Sequence, residues 1–332
     1  MEGRITVVGA GVVGLSCAVR LAESGAEVNV LARDLPLETT SAAAGALWLA
    51  AIAARPGDTG RWARETLTEM RRLAGAEPET EGAGAGVRIR PGTLLFRAEA
   101  ARHPAWDDDL ADVIRPDAVT RPAPGFGSGV RLTVPLVDMS RYLPYLTSRL
   151  RAAGGTLTRL ALPALPSRGI VVNCAGVAAR ALAADQEVRA VRSQVAVLSN
   201  PGIDEWYWYD AEPDELLCVL PHDRYVVVGC TQDDGDWSVL PDGTDARRLV
   251  GQARRLVPAL EGAEVLGHRV GLKPFRPAVR LDAEPRPTAE DPDHVRIHCY
   301  GHGGSGVTLA WGCAGDVVRT VHELTAQPTL PI

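Results

Sequence analysis

Lysine is almost missing from this chain. Of its 35 basic residues only Lys273 is a lysine, and arginine supplies all the others. Abundant arginine and alanine point to a GC-rich coding sequence, so the single lysine departs from local habit. Aromatic residues are scarce as well, at 5 %, which makes any cluster of them conspicuous. No apolar run approaches the roughly 18 residues that a helical membrane span needs. The chain passes from Met1-Glu2-Gly3 straight into an apolar strand pattern at Arg4, and neither a signal peptide nor a transit sequence is predicted there. The six cysteines form no C-x-x-C pair, which predicts reduced thiols in a cytoplasmic protein, mostly small core residues with Cys218 set apart. A net charge of −6 excludes nucleic acid as an expected partner. At 332 residues the chain is long for one core, so two subdomains are expected.

Glycine, by contrast, is placed with purpose. An apolar run from Arg4 to Val8 meets Gly9-Ala10-Gly11-Val12-Val13-Gly14, then a helical pattern to Gly25 and a second strand, Glu27 to Ala32. In that βαβ setting G-x-G-x-x-G is a nucleotide fingerprint: the glycines allow the turn, backbone approach to a pyrophosphate, and close helix packing. The helix N-terminus favours the anion. The expected ribose-binding acid arrives slightly late, as Asp34 after Arg33. Near the other end, Ile297 to Tyr300 reads as a buried strand entering a second glycine-rich turn, Gly301 to Gly306, and a helix over 307–323. Two such turns at opposite ends suggest one large cofactor held between them, namely FAD.

Between these ends, Gly86 to Arg97 reads as two strands about a Pro91-Gly92 turn. The pattern predicts a helix over 138–153, strands at 169–173, 188–198, 216–220 and 225–230, a helix over 247–260, and strands at 265–272 and 294–299. Helix-connected parallel elements recur near residues 1–50, 140–190 and 265–332, with β-rich segments at 51–139 and 191–264. The expected fold is therefore α/β, a discontinuous Rossmann-type FAD-binding domain interleaved with an antiparallel β-rich substrate domain.

The full chain resembles the D-amino-acid oxidase and glycine oxidase family of FAD-dependent amine oxidases. Five segments carry the resemblance in order: Val8 to Ser16, Ala32 to Trp48, Asn173-Cys174-Ala175-Gly176-Val177, Gly271 to Pro277, and Tyr300 to Gly306. The resemblance implies that Gly9, Gly11, Val12, Val13 and Gly14 hold the pyrophosphate and that Arg33 and Asp34 face the adenosine. It implies Thr40 and Ser41 at phosphate or ribitol hydroxyls, Gly45 and Ala46 at the flavin edge, and Gly176 in the third segment's turn. Gly303, Gly304, Ser305, Gly306, Val307 and Thr308 would hold the ribitol and the pyrimidine end of the flavin. The implied reaction passes hydride from the α-carbon of a neutral amine to flavin N5; dioxygen then becomes hydrogen peroxide and the imine hydrolyses. Orientation does the work, usually through an arginine clamp on the substrate carboxylate and a tyrosine phenol.

Here the sequence departs twice. The clamp position falls on Lys273, a point charge in place of a planar fork. Three roles stand open for it: a modified clamp, an oxygen-activating charge, or a solvent-facing residue with Arg276 or Arg280 as the real anion partner. The phenol position falls on Cys218, and the aromatic run Glu205-Trp206-Tyr207-Trp208-Tyr209-Asp210 offers Tyr207 or Tyr209 in compensation, or else an exposed edge strand. An altered clamp favours an unusual substrate such as an N-substituted glycine or another secondary amine with a carboxylate, against a free D-amino acid. An NAD-linked dehydrogenase would leave the C-terminal glycine turn unexplained, and an idle flavin-binding protein would explain the lost clamp. His298 and His302 read as structural, with no third metal ligand near them, and Ser193 and Ser305 lack a nucleophile elbow. A homodimer is the expected assembly if the chain self-associates.

Overall fold

The computed structural model describes residues 4–76, 84–97, 105–209, 216–285 and 294–326. Fourteen strands lie in one continuous sheet: β1 Arg4–Val8, β2 Glu27–Ala32, β3 Val87–Phe96, β4 Asp117–Thr120, β5 Ser128–Val137, β6 Thr156–Arg159, β7 Ile170–Asn173, β8 Arg189–Ser199, β9 Trp206–Tyr209, β10 Leu217–Pro221, β11 Tyr225–Gly229, β12 Asp233–Asp234, β13 Val265–Pro285 and β14 Val295–His302. Their spatial order is β4-β5-β3-β9-β10-β11-β8-β13-β14-β7-β1-β2-β6, with β12 beside β8.

Five strands at one end, β14-β7-β1-β2-β6, pair in parallel. Their residues are apolar with little alternation because both faces are covered, and Val7, Val30, Val171, Val172 and Ile297 are fully buried. Helix Val12–Glu23 and the C-terminal helix Gly306–Ala326 pack together over this region. The remaining strands are mostly antiparallel. Helix Gly243–Leu256 lays Val250, Ala253 and Leu256 on the sheet face formed by Ala196, Leu198, Val226 and Val228. Its start is fixed by Asp242, whose carboxylate accepts from the Thr244 and Asp245 amides. This helix therefore begins four residues before the expected position.

β13 joins the two regions. Residues Val265 to Phe275 pair with β8, and Phe275 to Pro285 pair with β14 after a register shift between Phe275 and Arg280. The expected strand ending at Leu272 is thus only the first part of a longer one.

Three further differences have local causes. Val87–Phe96 is one strand paired with β5 along its length, and Pro91-Gly92 is no turn. A β-carbon on Gly92 would lie 2.1 Å from the Trp206 indole, so the missing side chain lets Trp206 of β9 cross the backbone. Pro91 lies just outside the β9 register, which begins at Gly92. Gly57–Gly75 forms a long helix that the Arg55-Pro56-Gly57 punctuation concealed. It packs along the C-terminal helix, where the Thr66 hydroxyl accepts from the Trp311 and Gly312 amides. Strand β5 was likewise hidden behind the Pro122 to Gly129 turn signals. Of the glycine run Gly82 to Gly86, residues 82 and 83 fall outside the described residues, as does Asp210 of the aromatic run. Among the described residues no helix is long and apolar enough to cross a membrane.

Candidate active site

A cavity of about 660 Å³ runs between the two glycine-rich turns. Its first wall is the β1–helix turn. Gly9 has φ +111°, and a β-carbon there would sit 2.4 Å from the Cys174 carbonyl oxygen, so glycine is obligatory. The helix that follows opens with Gly11 at its N-cap, and the Val12 amide donates to Ser41 Oγ at 2.9 Å. Gly11, Val12, Val13 and Ser41 all line the cavity at this positive helix end. Arg33 and Asp34 line it too, joined by three guanidinium hydrogen bonds, Nη2 to Oδ2 at 2.6 Å and Nε to Oδ1 and Oδ2 at 3.0 and 3.1 Å.

Gly14 does not reach the cavity. A β-carbon there would lie 2.0 Å from the Gly9 carbonyl oxygen, so its part is to seat the helix against the turn. Thr308 is also removed from the expected contacts: it is buried, and its Oγ1 accepts from the Leu49 amide at 3.1 Å. Thr40 lines the cavity, but its hydroxyl both donates to the Leu272 carbonyl and accepts from the Leu272 amide, fastening the segment to β13.

The C-terminal loop supplies the opposite wall through Gly303, Gly304, Ser305, Gly306 and Val307, with Gly45, Ala46 and Gly176 nearby along the lining. Here the glycines are uncrowded. A β-carbon on Gly304 would find nothing closer than Lys273 Cδ at 3.8 Å, and one on Gly306 nothing closer than 3.7 Å. Neither has a positive φ that glycine alone would favour. Among the described residues no packing explains glycine at either position, whereas a large ligand lying against this backbone does. Two helix N-termini, a long cavity and reserved space over the glycine loop fit a dinucleotide cofactor.

Lys273 sits on the wall at β13. Its Nζ donates to Cys230 Sγ at 3.5 Å, and it forms no ion pair among the described residues. Cys218 lines the same region, where burial pushes its thiol well above the ordinary range, so it stands there as a neutral S–H. Trp208, Leu216, Leu49, Ile52, Arg55 and Gln232 also line the cavity. The alternative anion partners are elsewhere: Arg276 pairs with Asp185 at 3.1 Å and with Glu187, and Arg280 pairs with Asp282 at 2.9 Å. Neither borders the cavity.

The expected replacement phenols also turn away. Alternation along β9 puts Trp206 and Trp208 on one face and the tyrosines on the other. Tyr209 packs with Phe126 and its hydroxyl accepts from Arg97 at 3.1 Å, while Tyr207 lies in the same apolar cluster. It is Trp208 that reaches the cavity. The one tyrosine lining it is Tyr300, whose hydroxyl donates to Asp185 at 2.8 Å and accepts from Arg280 at 2.8 Å. Burial and the Asp185 carboxylate push that phenol up to about 12.

His298 sits between Asn173 and Glu284, at 3.4 and 3.1 Å. His302 has neighbours the sequence concealed: Cys299 and Cys313 place ligating atoms within 4.8 Å of it and of one another, and Cys17 and Cys174 join Cys299 at similar spacing. Hydrogen bonding to Cys174, with burial, pushes the Cys17 thiol up. All six cysteines are buried and unpaired.

Comparison with known proteins decides the family. The model described as DAO, FAD dependent oxidoreductase, matches residues 4–320. The chain belongs to this family. It is 40 % identical over 324 residues to a D-amino-acid oxidase of Rubrobacter xylanophilus, covering 95 % of this chain and 96 % of that one. It is 33 % identical to the human D-aspartate oxidase, with 99 % and 97 % covered. In three dimensions it is similar to a glycine oxidase from Geobacillus kaustophilus, with a TM-score of 0.79 at 17 % identity over 96 % of this chain and 95 % of that one. As a DAO-family oxidoreductase the protein is FAD-dependent, an oxidase acting on CH–NH2 groups, and its α/β fold with a Rossmann-type cofactor region agrees.

Proposed function

We propose that this oxidase acts on amino acids whose carboxylate is gripped by Lys273, with a preference for neutral or acidic substrates over basic ones. The observation carrying this reading is the charge of the cavity wall. Among its described lining residues only Asp34 is a carboxylate, and Arg33 already engages it. Lys273 and Arg55 are both cations on that wall, and neither has an acidic partner among the described residues. An anionic group is drawn to such a site and a second cation is repelled. FAD, when bound, supplies the two-electron acceptor for hydride from the substrate α-carbon and is turned over by dioxygen with release of hydrogen peroxide.

The chain's own residues bind and orient. In this reading residues 1–50, 140–190 and 265–332 hold the cofactor, and segments from 51–139 and 191–264 shape the substrate end. Gly9, Gly11, Val12, Val13 and Ser41 serve the pyrophosphate, Arg33 and Asp34 the adenosine end, and Gly303 to Val307 the flavin end. Leu49, Ile52, Leu216 and Trp208 exclude water around the reacting carbon. Cys218 offers a small neutral surface at the position of the family phenol. Unpaired thiols fit a reducing cytoplasm.

D-amino acids are the first substrate class to test, because the relatives at 40 % and 33 % identity are named for them. The lysine in place of the arginine fork favours a second reading, an N-substituted glycine. Mixing the anaerobic flavoprotein with D-alanine, D-aspartate, D-lysine, glycine, sarcosine and N-carboxymethyl amines separates the two by which compound bleaches the flavin. Fast bleaching by D-lysine would overturn the charge argument. Bleaching by sarcosine alone would select the second reading.

A further inference from the structure

Cys230 has no part in the reading above. It follows β11, lines the cavity, and its sulfur lies 3.5 Å from the amine of the only lysine in the chain. At 9 % exposure it is buried by the fold yet open to the cavity interior. Cys218 stands on the adjacent strand, where it pairs with Gly229. Hydride transfer needs neither thiol. Peroxide, however, is released into this same space if the proposed oxidase activity holds, and the present inference rests on that reading for its source of oxidant in the cell.

We propose that Cys230 and Lys273 form a peroxide-driven, reversible sulfur–nitrogen cross-link that brakes the enzyme. In the first step the Cys230 sulfur attacks one peroxide oxygen and the O–O bond breaks. Sulfur loses two electrons, giving a sulfenic acid and one water. In the second step the Lys273 amine attacks that sulfur, an N–S bond forms, and the S–O bond breaks. The departing hydroxyl leaves as a second water. Starting from the ammonium and the thiol, one peroxide is consumed and two waters and one proton are released. A thiol reductant cleaves the N–S bond and restores both groups. Contact favours lysine over Cys218 as the partner, because Nζ already touches the sulfur while Cys218 is a buried neutral thiol. The linked lysine can no longer grip a carboxylate, so the brake tightens as product accumulates.

The test uses the flavin-loaded protein with added hydrogen peroxide and no amine substrate, followed by peptide mapping in a mass spectrometer. The expected product is a cross-linked peptide pair containing Cys230 and Lys273, about 2 Da lighter than the sum of its parts and restored by dithiothreitol. Lys273→Arg abolishes it, since a guanidinium does not attack, while Cys218→Ser retains it. A Cys218–Cys230 disulfide in its place overturns the proposal, as does oxidation of Cys230 to sulfinic acid with Lys273 unmodified. Because the peroxide is added, the two readings fail separately. A protein that cross-links but makes no peroxide from any amine sinks the oxidase reading, and an active oxidase that does not cross-link sinks the brake.

Discussion

Replacing Lys273 by methionine removes the charge while keeping most of the side chain's length and apolar volume. In the structure the ammonium loses only a weak sulfur acceptor, Cys230 Sγ at 3.5 Å, so the folded protein should tolerate the change well. On the proposed reading, the substrate carboxylate loses a charge-assisted hydrogen bond inside a walled cavity. Such bonds contribute about 1.5–3 kcal/mol, which converts to roughly a 10- to 150-fold loss in kcat/KM. If the lysine grips substrate, the loss appears mainly as a raised KM and as weaker binding of simple carboxylate inhibitors. Stopped-flow spectroscopy separates the half-reactions: flavin reduction should need more substrate to saturate, and reoxidation by dioxygen should proceed at the wild-type rate. The opposite pattern, with normal reduction and slow reoxidation, would assign the charge to oxygen. Unchanged rates and binding in both halves would refute any active-site role for the residue.

Three other outcomes follow from the geometry. Gly14→Ala forces a β-carbon against the Gly9 carbonyl at 2.0 Å; the overpacking cost of about 1–3 kcal/mol exceeds the roughly 1 kcal/mol gained in helix propensity, so thermal unfolding should show a lower Tm and equilibrium dialysis weaker FAD retention. Thr308→Val leaves the Leu49 amide without its acceptor; denaturant unfolding should register a loss of about 1 kcal/mol, with the segment Leu49 to Arg55 loosened in hydrogen exchange. Burial lowers His222 from 6.5 to about 4. A depressed histidine adds stability above its unfolded value that is lost as pH falls towards the folded one, so stability should drop by roughly 3 kcal/mol between pH 6.5 and 4. His222→Gln should flatten that part of the pH–stability curve, and an unchanged slope counts against it.

The parallel region was legible in the sequence because its signals are local. A β-branched run, a glycine turn and a 3.6-residue period announce β1, its helix and β2 within thirty residues, and the C-terminal glycines announce the second turn. What stayed hidden depends on distant partners. Pro91-Gly92 has the composition of a turn, yet Trp206, over a hundred residues later, supplies the side chain that fills the gap. The period-2 alternation of β9 separates tryptophans from tyrosines correctly, but a single strand cannot say which face meets the cavity. Gly57–Gly75 does carry a buried face with Trp62, Leu67, Met70 and Leu73, but the Arg55-Pro56-Gly57 punctuation at its start reads as a loop, and the glycine that begins the helix masks that face. Gly14 and Thr308 lie inside motifs whose neighbours do face the cavity, and only the backbone's course tells lining residues from supporting ones. The thiols gathered round Cys299 come from four separate segments, a proximity no spacing rule reveals.

β13 carries the Lys273 side chain and, through its backbone, the C-terminal glycine loop: the Gly303 amide donates to the carbonyl of Pro274, the residue next to the lysine. Phe275 pairs at once with Arg189 of β8 and His302 of β14. Whatever tugs on the lysine is therefore felt one residue away by the glycines proposed to border the flavin. If flavin lies on that loop as proposed, its absorption bands should shift as carboxylates of different size take hold of the lysine, so occupancy could be titrated by colour alone with no label and no turnover.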